Sequence, residues 1–150
     1  MKLCPCGFGE PYERCCGRFH AALAGGHGAA GSAGSAGPAA EPPSAQDLMR
    51  ARYSAFALGE AEYLSRTWHS STRPANLELD GDRRWTGLEI LGQTGGGMFE
   101  AEGTVRFRAH YRAGGRPGKQ QENSHFVRED GRWRYLGAVA GTAIAGSRGR

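Results

Sequence analysis

Beyond residue 16 this 150-residue chain has no cysteine, and nowhere does an apolar run approach the length needed to cross a bilayer. The first absence removes any disulfide framework from the body of the protein. The second removes a helical membrane span, and no membrane partner is expected. Only Met1-Lys2-Leu3 precede the first cysteine, with nothing resembling an apolar secretory leader, so the expected compartment is a reducing cytoplasm. No Ser-His-Asp arrangement, phosphate-cradling glycine loop or second metal cluster is readable, and Gly95-Gly96-Gly97 reads as a turn. Acidic residues are in mild deficit, 15 against 19 basic ones, for a formal charge of +4. That excess could favour an acidic partner such as RNA or an acidic protein surface, but a solvated, arginine-rich surface is the better explanation. Hydrophobic residues at 39% and aromatic ones at 9% are ordinary for a folded domain, and the length supports one modest domain with an appendage.

All the unusual chemistry lies at the amino end. Cys4, Cys6, Cys15 and Cys16 fall within the stretch Cys4-Pro5-Cys6-Gly7-Phe8-Gly9-Glu10-Pro11-Tyr12-Glu13-Arg14-Cys15-Cys16-Gly17. Four soft thiolates are the ligand set of a structural zinc site, one ion per chain, and iron can occupy the same set. Disulfides are the poorer reading. A bond within either pair is strained, and the longer bridges close very short loops. Gly7 and Gly9 let the backbone turn tightly around an ion. His27, in a Gly/Ala/Ser stretch, is expected to face solvent and not to serve as a fifth ligand.

These residues also carry a resemblance. Cys4-Pro5-Cys6-Gly7, Gly9, Tyr12 and Cys15-Cys16-Gly17 resemble the SEC-C motif, the zinc-binding segment found at the end of the SecA translocation ATPase; Cys16 stands where many members carry His. Further on, Leu48-Met49-Arg50-Ala51-Arg52-Tyr53-Ser54-Ala55-Phe56, Thr67-Trp68-His69, Thr72-Arg73-Pro74, Trp85-Thr86-Gly87-Leu88 and Phe126-Val127-Arg128-Glu129-Asp130-Gly131-Arg132-Trp133 are similar to the YchJ (UPF0225) family. The resemblance implies an NTF2-like cone after the knuckle. It implies little about activity. SEC-C segments are associated with docking to an export chaperone or the ribosome, which implies a protein or ribosome partner here.

In chain order, residues 1–22 form the knuckle and residues 23–43 a flexible Gly/Ala/Ser linker, so the knuckle is expected to move partly independently. Residues 44–140 form the folded domain and residues 141–150 a disordered tail. Within the domain, Ser44 caps a helix over Ala45 to Leu58 that Gly59 stops. A second helix spans about Glu60 to Trp68, and Pro74 opens a short third through Leu77. The period then changes to two. Strands are expected over Trp85 to Gly92, around Val105 to Tyr111, over Gln120 to Arg128 and over Arg132 to Ala138. Turns fall at 94–97, 114–118 and Asp130-Gly131. Helices followed by an antiparallel meander give an α+β fold with helices on one face of a curved sheet.

Strand parity supplies the candidate chemistry of the cone. Phe126 must face the core, so Ser124 and Glu122 share its direction. An inward carboxylate needs a partner. Arg73 and His69, at the helix-to-turn corner, are the predicted partners, with Tyr53, Tyr111 and Ser124 completing a polar network. The bland reading of the same residues is that they pin the corner onto the sheet and need no substrate. Two function classes follow. One is a non-enzymatic adaptor whose knuckle docks a partner through Lys2, Arg14 and Arg18 with Phe8, Tyr12 and Phe19. The other is a small-molecule enzyme or binder using a pocket of Glu122, His69 and Arg73. An open, apolar-walled cavity with a free polar group favours the second class, and a filled cone the first. Exposed sheet faces are compatible with a homodimer.

Overall fold

The computed structural model describes residues 2–24, 41–77, 79 and 81–139. The expectations of a tether over residues 25–40 and of a loose tail over 141–150 lie outside the described residues. The expected linker is shorter at both ends, since helix α1 (Cys16–Ala24) continues into it and Glu41 and Pro43 are bonded to the fourth strand.

Helix α2 (Ala45–Leu58) starts where Ser44 Oγ accepts the Asp47 amide at 3.1 Å. It stops at Gly59, whose φ of 77° is the left-handed conformation that glycine adopts without penalty. Helix α3 (Ala61–Arg66) is shorter than its periodicity suggests. Thr67 ends it, with its hydroxyl donating back to the Tyr63 carbonyl, and Trp68 leaves to bridge the last strand in parallel. The helix predicted from Pro74 to Leu77 is not formed. That segment is extended and bent.

Four strands follow as an antiparallel meander in the order β1 (Arg83–Gly95), β2 (Glu102–Ala113), β3 (Arg116–Glu129) and β4 (Arg132–Ala138). Bulges between Trp85 and Gly87, between Ile90 and Gly92, and opposite His125 and Phe126 bend the sheet. The turn predicted over 114–118 tightens to Gly114-Gly115 alone, and Arg116-Pro117-Gly118 open β3. Pro117 fits because β4 pairs only with Ser124 to Glu129, leaving the first half of β3 as an edge.

The core lies between this sheet and the helices. Val105, Phe107 and Ala109 on β2, Phe126 on β3 and Trp133 on β4 are buried against Leu48, Ala51 and Ala55 of α2 and Leu64 of α3. Each large side chain so removed from water contributes about 1.5–3 kcal/mol. The early end of β4 also matters for function, because Gln120 and Glu122 sit beyond its reach, where the layers are open.

Candidate functional site

The amino-terminal segment folds on a small antiparallel bridge between Leu3 and Pro11, with the Cys4 amide donating to Glu10 O and the Tyr12 amide to Lys2 O. Gly7 and Gly9, at φ 83° and 95°, make the turn between. A single 3-10 turn, Tyr12–Arg14, then delivers Cys15 and Cys16 to the start of α1. Gly17 is required there, since a Cβ would fall 2.6 Å from Tyr12 O.

These turns bring the four sulfurs within 4.8 Å of one another, all buried, with Cys6 and Cys15 Sγ 3.6 Å apart and no disulfide formed. Tetrahedral thiolate coordination at about 2.3 Å places sulfurs roughly 3.8 Å apart, so the cluster has the size of a one-ion site. Its electrostatics fit as well. Hydrogen bonds from Cys16 and then Cys6 hold Cys4 far below the ordinary thiol range, while bonding to Cys4 and Cys6, together with burial, drives Cys16 far above it. Burial, then the charge of Cys6, pushes Cys15 up to about 12. A metal cation supplies the charge that lets all four sulfurs ionise, and Cys4, Cys6, Cys15 and Cys16 are the residues that would hold it.

The knuckle does not stand apart, contrary to the expectation from linker composition. Cys4 Sγ lies 3.3 Å from Ser54 Oγ on α2, and Arg50 Nη1 donates to Cys6 O at 3.3 Å. His20 fixes the other side. Its Nε2 donates to the Ala51 carbonyl at 2.9 Å and its Nδ1 accepts from Tyr12 Oη at 2.7 Å, the pattern of a neutral imidazole. Burial lowers its pKa accordingly. Leu3 and Phe8 are 65% and 62% exposed, with Arg50 of α2 over the Phe8 ring, and Lys2, Arg14 and Arg18 are exposed as well. Phe19, expected to be a contact residue, is buried under Arg18, and Tyr12 is half-buried against His20.

A cavity of about 200 Å³ opens inside the cone, walled by Met49, Phe56, Trp68, Phe107 and Phe126. Glu122 points into it, as strand parity requires. Its Oε2 accepts from Tyr135 Oη at 2.6 Å and from Ser124 Oγ at 2.7 Å. The predicted cations are elsewhere. Arg73 turns back to the Trp68 carbonyl and lines a separate cleft with Glu129, Asp130 and Arg132; His69 Nδ1 is bonded to Ser71. Both sit on the outside of the corner, where Ser70 binds Glu129 and helps hold that carboxyl below its usual range. Tyr53 and Tyr111 pack against Trp85 and do not line the cavity.

The cation that belongs to the cavity is Arg52, a residue that sequence reasoning missed. It is 4% exposed, donates from Nη1 to Leu64 O at 2.8 Å and Thr67 Oγ1 at 2.7 Å, and lies over the rings of Tyr135 and Trp68. Burial lowers its pKa to about 10, which leaves it charged at neutral pH. Burial, and then the charge of Glu122, raises Tyr135 well above the usual phenol range, keeping it a donor. A signal was present. Arg52 follows Leu48 by four residues on the apolar stripe of α2, and Tyr135 shares the face of Trp133.

With this geometry in place, likeness to known proteins is decisive for kinship. A profile described as the YchJ, middle NTF2-like domain matches residues 44–138. The chain belongs to the YchJ (UPF0225) family. A UPF0225 protein of Streptomyces coelicolor is 52% identical over 132 residues, covering 88% of this chain and 90% of that one. Another, from Corynebacterium efficiens, is 47% identical over 138 residues, covering 91% and 93%. The solution structure of a SEC-C motif containing protein from Rhodopseudomonas palustris superposes with a TM-score of 0.68 at 29% identity, covering 91% of this chain and 97% of that one. The α+β, NTF2-like cone preceded by a cysteine knuckle is therefore a family architecture. No helix among the described residues is long and apolar enough to cross a membrane.

Proposed function

We propose that this YchJ-family chain is a small-molecule-binding protein whose NTF2-like cone holds the ligand and whose knuckle, loaded with zinc, braces α2 behind it. The observation that carries this reading is the cavity, open and apolar-walled with the Glu122 carboxylate at its base, where a structural cone would be filled. Zinc suits a four-thiolate tetrahedron that needs no redox change, and a reducing cytoplasm is the compartment in which such thiols persist. Elemental analysis of untagged protein should find one zinc per chain, against iron as the competing ion. For the cavity, single-ring compounds should shift the NMR resonances of Trp68 and Glu122, and Met49→Trp, which fills the space, should abolish those shifts without lowering the melting temperature. A screen in which the cavity resonances never move would end the reading.

A second reading, the adaptor, is favoured by a different observation: two apolar side chains, Leu3 and Phe8, are exposed on a knuckle that also exposes Lys2, Arg14 and Arg18. That combination suits a protein or ribosome surface. Crosslinking with the intact protein and with Leu3→Ser/Phe8→Ser, which leaves the sulfurs untouched, tests it; partners captured equally by both would place docking elsewhere.

A further inference from the structure

The polar groups facing the cone cavity leave specific valences unused. On Glu122 both internal hydrogen bonds go to Oε2, and Oε1 makes none among the described residues. Arg52 spends Nη1 on Leu64 O and Thr67 Oγ1, while its Nε and Nη2 have no hydrogen-bond partner among the described residues although the side chain is almost wholly buried. Gln120, two residues before Glu122 on the same face of β3, gives its Oε1 to Arg83 and keeps its amide donors. The cavity therefore offers one acceptor and at least two donors between aromatic walls. It also holds one positive and one negative side chain, so a ligand of either net charge would leave a charge uncompensated in a poorly hydrated space.

We propose that the site takes a neutral, planar, single or fused ring that carries an N–H donor beside a carbonyl acceptor, the edge of a cyclic amide or ureide such as a nucleobase. The N–H meets Glu122 Oε1, the carbonyl meets Arg52, and the ring lies among Phe56, Trp68 and Phe107. A volume of about 200 Å³ suits one such ring system, being smaller than the roughly 300 Å³ at which pockets for drug-sized molecules begin. The ligand class rests on the small-molecule reading above, and the experiment is arranged to separate the two.

The test uses the full-length, metal-loaded protein and ligand-observed NMR titrations with uracil, hypoxanthine, benzylamine, benzoate and phenylalanine. Uracil or hypoxanthine should bind in preference to the two ions and the zwitterion. Glu122→Gln presents an amide donor where Oε1 accepted, and should weaken that binding about tenfold or more, the usual effect of leaving a buried polar group unpaired. Gln120→Ala, at the lip and away from the core, should weaken it less and fold normally, so a binding defect there cannot be put down to misfolding. Preference for benzylamine, benzoate or phenylalanine would overturn the ligand class and leave the cavity a binding site. Unchanged uracil and hypoxanthine binding in Glu122→Gln would overturn the class as well. If none of the five binds, and the wider single-ring screen is also silent, both proposals fall.

Discussion

At the amino end, four sulfurs crowd together with little but one another and Ser54 to bond, whereas at the base of the cone one carboxylate oxygen already holds two hydroxyl donors and a buried guanidinium holds a carbonyl and a threonine. Both regions bury polar atoms, but they finish the task differently. The cysteine centre is incomplete as protein and calls for an ion from outside. The cavity is largely satisfied from within and leaves over only the few valences that face its opening. Buried polarity thus takes two forms here, four sulfurs of a number and spacing that could hold a metal ion and a cavity base bonded mostly within the protein.

Taking away the ion should have the largest effect. Metal binding contributes about 10–16 kcal/mol apparent in small zinc peptides, and here Cys4 and His20 tie the knuckle to α2, so the consequence should spread. Chelation, or Cys15→Ser with Cys16→Ser, is expected to remove the metal and also to lower the melting temperature of the remaining domain. A domain that melts unchanged after chelation would show that the knuckle braces nothing.

Next in size is the cavity's own cation. Arg52→Met keeps much of the packing but leaves the Leu64 carbonyl and the Thr67 hydroxyl short of a donor, which should cost about 1–3 kcal/mol in urea unfolding. Glu122→Gln retains an oxygen for Tyr135 and Ser124 and should cost about 1 kcal/mol or less. If the two changes cost the same, the claim that the cavity's stability rests on Arg52 while Glu122 is kept for a ligand does not survive.

The smallest effect is one of pH. His20 is buried with a lowered pKa, so the folded state favours the neutral ring. Its contribution is fully present above the ordinary imidazole value of about 6.5 and is lost as pH falls from there toward the folded value, because the unfolded chain takes up the proton first. In protein kept metal-loaded, stability should decline below about pH 6.5, and His20→Gln should flatten that part of the curve. An unchanged slope would mean that burial of the His20 ring contributes nothing to the pH dependence.

Much of this was legible in the residues themselves. The cap at Ser44, the stop at Gly59, the bounds of β4 and the inward direction of Glu122 each follow from a local rule that nothing in the fold opposes. The four cysteines, too, announce their assembly by crowding. What parity cannot supply is the partner across the layers. Arg73 and His69 lie at the right corner in sequence, yet the backbone there turns outward once Trp68 pairs with Tyr135, and the guanidinium that faces the cavity comes from mid-helix. Likewise, glycine-rich composition describes a tether but is silent about whether its ends dock, which depends on a histidine and a serine 34 residues apart in sequence.

The bulges in β1 have a bearing on how molecules of this kind stay separate. A long, regular outermost strand offers its unpaired amides and carbonyls as a template on which another chain can grow a fibre. Here that margin changes step at Trp85/Gly87 and again at Ile90/Gly92, so an incoming strand would find only short matching stretches before falling out of register. The same irregularities that shape the cone also guard its flank against open-ended self-association.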